Sequence, residues 1–229
     1  MNIVSEEKRL EINMKLEAAG VKFVDIKAAY IDESVEIGQG TVIYPQVVLE
    51  GNTKIGENCV IGMSTRIVDS VIGDGTDVQN SVILESAVGE NTTVGPFAYM
   101  RPGSKVGDKC KVGDFVEIKN STFGNGSKAS HLTYIGDSDV GENVNLGCGV
   151  VFVNFDGREK CRSTVDDGAF IGCNSNLVAP VHVGKKSYVA AGSTVTDDVP
   201  EDGLYIARTR GTLKENWVSN KGILIRKKK

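Results

Sequence analysis

The 229-residue chain has two histidines, and one of them, His131, stands in the stretch KASHLTY. An imidazole titrates near neutrality, so it is well suited to take a proton from a reacting group. Arg101 and Lys119 are a second candidate pair, eighteen positions apart. Arginine and lysine together grip phosphate if the fold brings them close; if it does not, they are a solvated surface pair. Five cysteines (Cys59, Cys110, Cys148, Cys161 and Cys173) are scattered with no C-x-x-C pair. That spacing argues against a zinc site, and the odd number fits reduced thiols.

These residues need a scaffold, and composition limits which one. The net charge of −4 supplies no basic field for nucleic acid. The C-terminal RKKK, Arg226 to Lys229, reads as a solvated tail. No apolar run reaches the roughly 18 residues of a membrane helix, and the N-terminus MNIVSEEKRLEINMKL is too charged for a signal peptide. The expected location is the cytoplasm. Glycine is abundant, at 27 residues, and aromatics make up only 6%. A core so poor in rings must be filled with aliphatic side chains in some repetitive way.

The repeat is six residues long. IGQGTV (37), IGENCV (55), VGENTT (88), VGDKCK (106), VGDFVE (112), VGENVN (140), LGCGVV (146), IGCNSN (171) and VAAGST (189) each open on a branched aliphatic. Each also carries a small or β-branched residue near its fifth position. A period of six is neither helical nor simple alternation. It fits a short strand and a turn, with positions one and five inward and Gly, Asn or Asp at the turn. Three strands close one coil, which predicts an all-β parallel β-helix of about nine coils from Ile37 to Val199. A sandwich is disfavoured because its strands recur every 8–12 residues or so. Residues 1–24 are expected to be a lead-in, with a helix over 5–19 carrying Leu10, Met14 and Leu16 and stopped by Gly20. The β-helix occupies 25–200, with an external loop at 153–164. Residues 201–229 form a C-terminal cap and the basic tail.

In a solenoid, residues one coil apart stack. Arg101 follows the hexad start Met100, and Lys119 follows Ile118, so the two cations share one face. His131 is third in its hexad. Above it in the same column fall Cys148, Cys173 and Ala191, all small. A column of small side chains is a groove, and a long thin ligand with a reactive tip fits it. The pantetheine arm of coenzyme A has that shape, and Arg208 and Arg210 past the last coil could meet its phosphates.

The stretch PFAYMRPGSKVGDKCKVGDFVEIKNSTFGNGSKASHLTYIGDSDVGENVNLGCG resembles the acetyltransferase half of bacterial bifunctional enzymes that make UDP-N-acetylglucosamine. NLVAPVHVG and AAGSTVTDDVPEDGLYIARTR continue the match, which covers nearly the whole chain. The resemblance implies a left-handed β-helix and a homotrimer with active sites between subunits. It implies acetyl transfer from acetyl-CoA to the amine of glucosamine 1-phosphate, with no metal. By motif position His131 is the implied base; Glu117 is the carboxylate that could orient its ring, or else neutralise Lys119 two residues on. Arg101, Lys119, Tyr134 and Asn145 are the implied sugar-phosphate binders, and Lys160 reaches a neighbouring subunit's site. Cys148, Asn154, Phe155, Cys173, Ala191 and Arg208 fall where the family contacts acetyl-CoA. The family's uridyltransferase domain has no counterpart in this sequence, so a separate uridyltransferase as partner is left open, as is a fragment.

Two departures touch the donor side: Phe155 stands where the family usually has tyrosine, and Cys173 where it usually has serine. The sugar-phosphate set is intact. Three other readings remain. One is an acetyltransferase for a different amino sugar or for a hydroxyl. Another is a β-helical hydratase, which needs three zinc-bound histidines where this chain has two, with His182 outward. The last is a non-catalytic scaffold.

Overall fold

The computed structural model describes residues 5–221. Short strands wind into three parallel sheets of eleven, ten and nine strands. Within each sheet, neighbours are three strands apart in sequence except for the last pair of the eleven-stranded sheet, which is two apart, so every third strand returns to the same face. The product is the expected left-handed β-helix, of about ten turns. It starts earlier than the hexads suggested. The first strand is Lys22–Phe23 and the last is Leu204–Tyr205, both on the first face.

Burial follows the hexad. Ile43, Ile61, Val78, Val94, Val112, Ala129, Leu146, Ile171 and Val189 stack inward along the first face, each at most 3% exposed. Beside them a column of small polar residues closes the ladder at the corner leading in from the third face. Thr41 Oγ1 accepts from Cys59 N, Thr92 Oγ1 from Cys110 N, and Ser127 Oγ from Val144 N. Cys59 and Cys110 belong to this buried column, and burial pushes both thiols up. They are packing residues.

The N-terminal helix spans Glu6–Ala18, capped by Ser5, whose side chain accepts from Lys8 N. It covers the bottom rung. Asn13 Nδ2 donates to Ile26 O at 2.8 Å and to Ala29 O at 3.1 Å. The buried face is not the expected Leu10–Met14–Leu16 stripe. Ile12 is buried and Leu16 packs against the core, whereas Met14 is 54% exposed. The helix needs only one narrow contact line because it lies across the end of a thin prism.

At the top, Leu204–Tyr205 completes the last rung and is followed by exposed chain and a short helix, Trp217–Asn220. The cap thus holds both a strand and a helix. The basic tail lies outside the described residues. The corners need backbone at positive φ, and many are Gly or Asn as expected. Three consecutive rungs of the corner between first and second faces differ: Phe97, Phe115 and Leu132 hold φ of 61°, 55° and 49°. Their side chains are 57%, 59% and 56% exposed, and the two rings stack at 5.5 Å. Bulky residues in this conformation cost about 1–3 kcal/mol each, so this apolar ridge is maintained against local backbone preference.

Candidate active site

The corner that carries the ridge also carries His131. Leu146 pairs with both Ala129 below and Ile171 above, and Ile171 pairs with Val189. Two residues further along each strand, His131, Cys148, Cys173 and Ala191 therefore form one column, as the hexads predicted. Gly147 keeps it narrow, since Cys173 Sγ lies only 3.0 Å from where a side chain on Gly147 would begin. Arg208 sits at the upper end, its Cδ 3.7 Å from the Cβ position of Gly192.

The same register extends downward to a residue that the upward reading of the column missed. Asp114 pairs directly with His131, and its Oδ1 lies 2.6 Å from His131 Nδ1. Asp114 is third in VGDFVE, so the column rule that found Cys148 also finds it. The expected orienting carboxylate, Glu117, is elsewhere. It lies past the corner on the second face, and its Oε1 accepts from Arg101 Nη1 at 2.9 Å. The corner turn at Phe115 separates Glu117 from the His131 column, so that assignment is corrected.

The second face holds the cations. Met100 pairs with Ile118, which places Arg101 and Lys119 on successive rungs. Lys119 Nζ lies 3.0 Å from Asp137 Oδ2, with the two side chains 17% and 10% exposed. Asp137 also accepts from Asn120 Nδ2 at 2.6 Å and from Asn154 Nδ2. Burial works to raise the Asp137 carboxyl, but the hydrogen bonds from Asn120, Lys119 and Asn154 outweigh it and hold it low. Tyr134 lies flat across Gly136, whose missing side chain would stand 2.5 Å from the phenol oxygen. The phenol thereby approaches Asn154 Nδ2, at 3.4 Å.

The external loop, residues 154–162, replaces a single corner residue. One rung below, Asp137 alone makes this turn. Phe155 and Lys160 bridge across the loop, and Asp156 Oδ1 accepts from Arg158 N and Glu159 N. Arg162 fastens its end, donating to both carboxylate oxygens of Asp139. Phe155 is 54% exposed. Lys160 folds back onto its own chain. Its amine comes close to that of Lys119, and the proximity of this like charge pulls Lys160 below the usual lysine range. The Asp137 carboxylate beside it holds Lys119 above that range. Arg101, Lys119 and Lys160 thus form one cationic cluster, with Asp137 and Tyr134 beside it.

Asn145 is not part of that cluster. It lies on the first face, between Lys128 below and Phe170 above. Within one chain the expected sugar-phosphate binders are split by a convex corner. A depression of about 390 Å³ on the third face, lined by Thr122, Asp139, Thr164, Asp166 and Lys185, contains none of them. His182 is on the third face too, with Nε2 2.8 Å from Asp166 Oδ2. Among the described residues no group of three His, Cys, Asp or Glu side chains could hold a metal ion, and no helix is long and apolar enough to cross a membrane.

The fold and its repeat define the chain as a hexapeptide-repeat protein of the left-handed β-helix class. Residues 85–120 match the bacterial transferase hexapeptide, residues 164–197 the hexapeptide repeat of succinyl-transferase, and residues 26–100 the GMPPB C-terminal domain. The chain is similar to the C-terminal part of GlmU proteins. It is 56% identical over 216 residues to the bifunctional protein GlmU of Clostridioides difficile, covering 94% of this chain and 47% of that protein. For the GlmU of a Geobacillus species the figures are 57% identity over 204 residues, 89% and 44%. The chain thus spans about half the length of these curated relatives. The UDP-N-acetylglucosamine acyltransferase of Campylobacter jejuni shares the fold, with a TM-score of 0.59 at 19% identity, over 90% of this chain and 79% of that one.

Proposed function

We propose that this chain is an acyltransferase that moves acetyl from acetyl-CoA to the amine of glucosamine 1-phosphate. The observation that carries this reading is the corner column: His131 at its foot, Cys148, Cys173 and Ala191 above it, Arg208 at its upper end. The GlmU relatives and the cation cluster one face away support it. The acceptor amine is an ammonium at neutral pH and cannot attack a thioester. Once it has shed one proton to solvent, the neutral amine attacks, and His131 takes a second proton from the nitrogen as it bonds to the acetyl carbon. The tetrahedral intermediate then breaks its carbon–sulfur bond, and the proton passes to the departing coenzyme A thiolate. A backbone N–H of the Leu146–Gly149 coil is the candidate oxyanion donor. Arg101, Lys119 and Lys160 bind the sugar phosphate, and orientation of amine against thioester supplies much of the rate.

The split of Asn145 from the cations supports a homotrimer with sites between subunits. In a ring of parallel prisms, the first face of one copy meets the second face of the next. The Phe97–Phe115–Leu132 ridge beside the column would then be covered. The testing assay follows free thiol released by glucosamine 1-phosphate and acetyl-CoA. A much higher kcat/KM with another amino sugar would overturn the acceptor assignment.

A further inference from the structure

We propose that Asp114 is the positioning residue of His131, holding the ring so that Nδ1 carries the proton and Nε2 faces the acceptor amine. This rests on the reading of His131 as the base. Its physical ground is a donor–acceptor inventory. An ionised carboxylate can only accept, so an imidazole nitrogen 2.6 Å from it must be the N–H. The other nitrogen then keeps its lone pair, and among the described residues His131 Nε2 has no hydrogen-bond partner. Asp114 is suited to the task. Its hydrogen bond with His131, helped by its own backbone N–H and the charge of Lys111, holds its carboxyl below the usual range and ionised. As the ring takes up the amine proton, the same carboxylate stabilises the imidazolium.

The backbone beneath this pair points the same way. Other strands of the first face are two residues long, but Lys111–Asp114 and Lys128–His131 are four each and stay paired to Asp114 and His131. Gly113 permits this, because a side chain there would begin 1.9 Å from the Ser130 carbonyl oxygen. The extended pairing brings Asp114 directly under the imidazole. Glu117 is already engaged by Arg101 on another face.

The test pairs kinetics with nitrogen NMR of this histidine-labelled 229-residue chain, in which the other histidine, His182, serves as internal control. Above its titration, wild-type His131 is expected to show the Nδ1–H tautomer. Asp114→Ala should give a mixture and lower kcat by roughly tenfold or more, the scale on which orienting partners act, with KM for both substrates little changed. Asp114→Asn, which keeps an acceptor oxygen, should recover part of both signals. Glu117→Gln should leave the tautomer alone and raise the acceptor KM. An unchanged tautomer in Asp114→Ala, or a tautomer change in Glu117→Gln instead, overturns the proposal. If the wild type transfers no acetyl to glucosamine 1-phosphate, the functional reading fails, while the ring spectra still decide what Asp114 does.

Discussion

Asn154, the first residue of the external loop, and Asp137, the corner residue one rung below, are joined side chain to side chain. The loop is thus anchored to the carboxylate that holds Lys119. Replacing Asp137 by alanine leaves Lys119 and both asparagine amides without their acceptor in a largely buried place. The expected cost is about 1–3 kcal/mol of stability, read from urea unfolding, together with faster proteolysis in the loop.

The pH dependence of that contribution has a definite sign. The folded carboxyl of Asp137 is depressed, so its contribution is fully present above the unfolded value of about 3.9 and fades as pH falls through the folded value. The stability gap between wild type and Asp137→Asn should therefore be constant from neutral pH down to the ordinary aspartate range and then narrow. Unfolding curves at stepped pH test this; a gap that widens on acidification would contradict it.

Lys160 meets Lys119 of its own chain, although resemblance alone assigns it to a neighbour's site. Mixed trimers of Arg101→Ala and Lys160→Ala chains separate the two cases. If both residues serve one site within a chain, every chain is defective and activity does not return. Recovery of activity on mixing would mean that Lys160 crosses the interface.

The donor-side departures should be reversible. Phe155→Tyr and Cys173→Ser each restore one hydroxyl, worth about 0.5–1.5 kcal/mol. Each is expected to lower the KM for acetyl-CoA, roughly twofold to tenfold on that scale, and to leave the KM for the acceptor unchanged. Steady-state kinetics with each substrate varied in turn are sufficient.

The ridge predicts an assembly defect. Changing Phe115 and Leu132 together to serine removes exposed apolar surface without touching the core. The expected result is a smaller native mass in light scattering, with the far-ultraviolet spectrum of the β-helix retained. A trimer that survives this double change would mean that the ridge is not its interface.

Much of the fold was legible because a six-residue period has one good structural solution. Once the rungs were counted, His131, Cys148, Cys173 and Ala191 had to stack, and they do. Asp114 was equally legible and was missed only because the column was followed upward. The pairings of Asp137 and Lys160 were less accessible. They depend on where a loop folds back, which periodicity does not encode. Met14 is exposed because its helix makes only one narrow contact line across the end of the prism. The positive φ of Phe97, Phe115 and Leu132 runs against local preference, so something beyond local sequence must compensate, and the proposed subunit contact over the ridge would supply it.

The external loop enters the solenoid without disturbing it. Ser163, Thr164 and Val165 pair with Ser138, Asp139 and Val140 as if the turn were still one residue long. Between its anchoring residues Asn154 and Arg162 the loop can therefore change without moving the rungs, and the reacting groups they carry stay in place. Evolution can revise what this protein recognises by exchanging a surface segment, with no new solution to the folding problem.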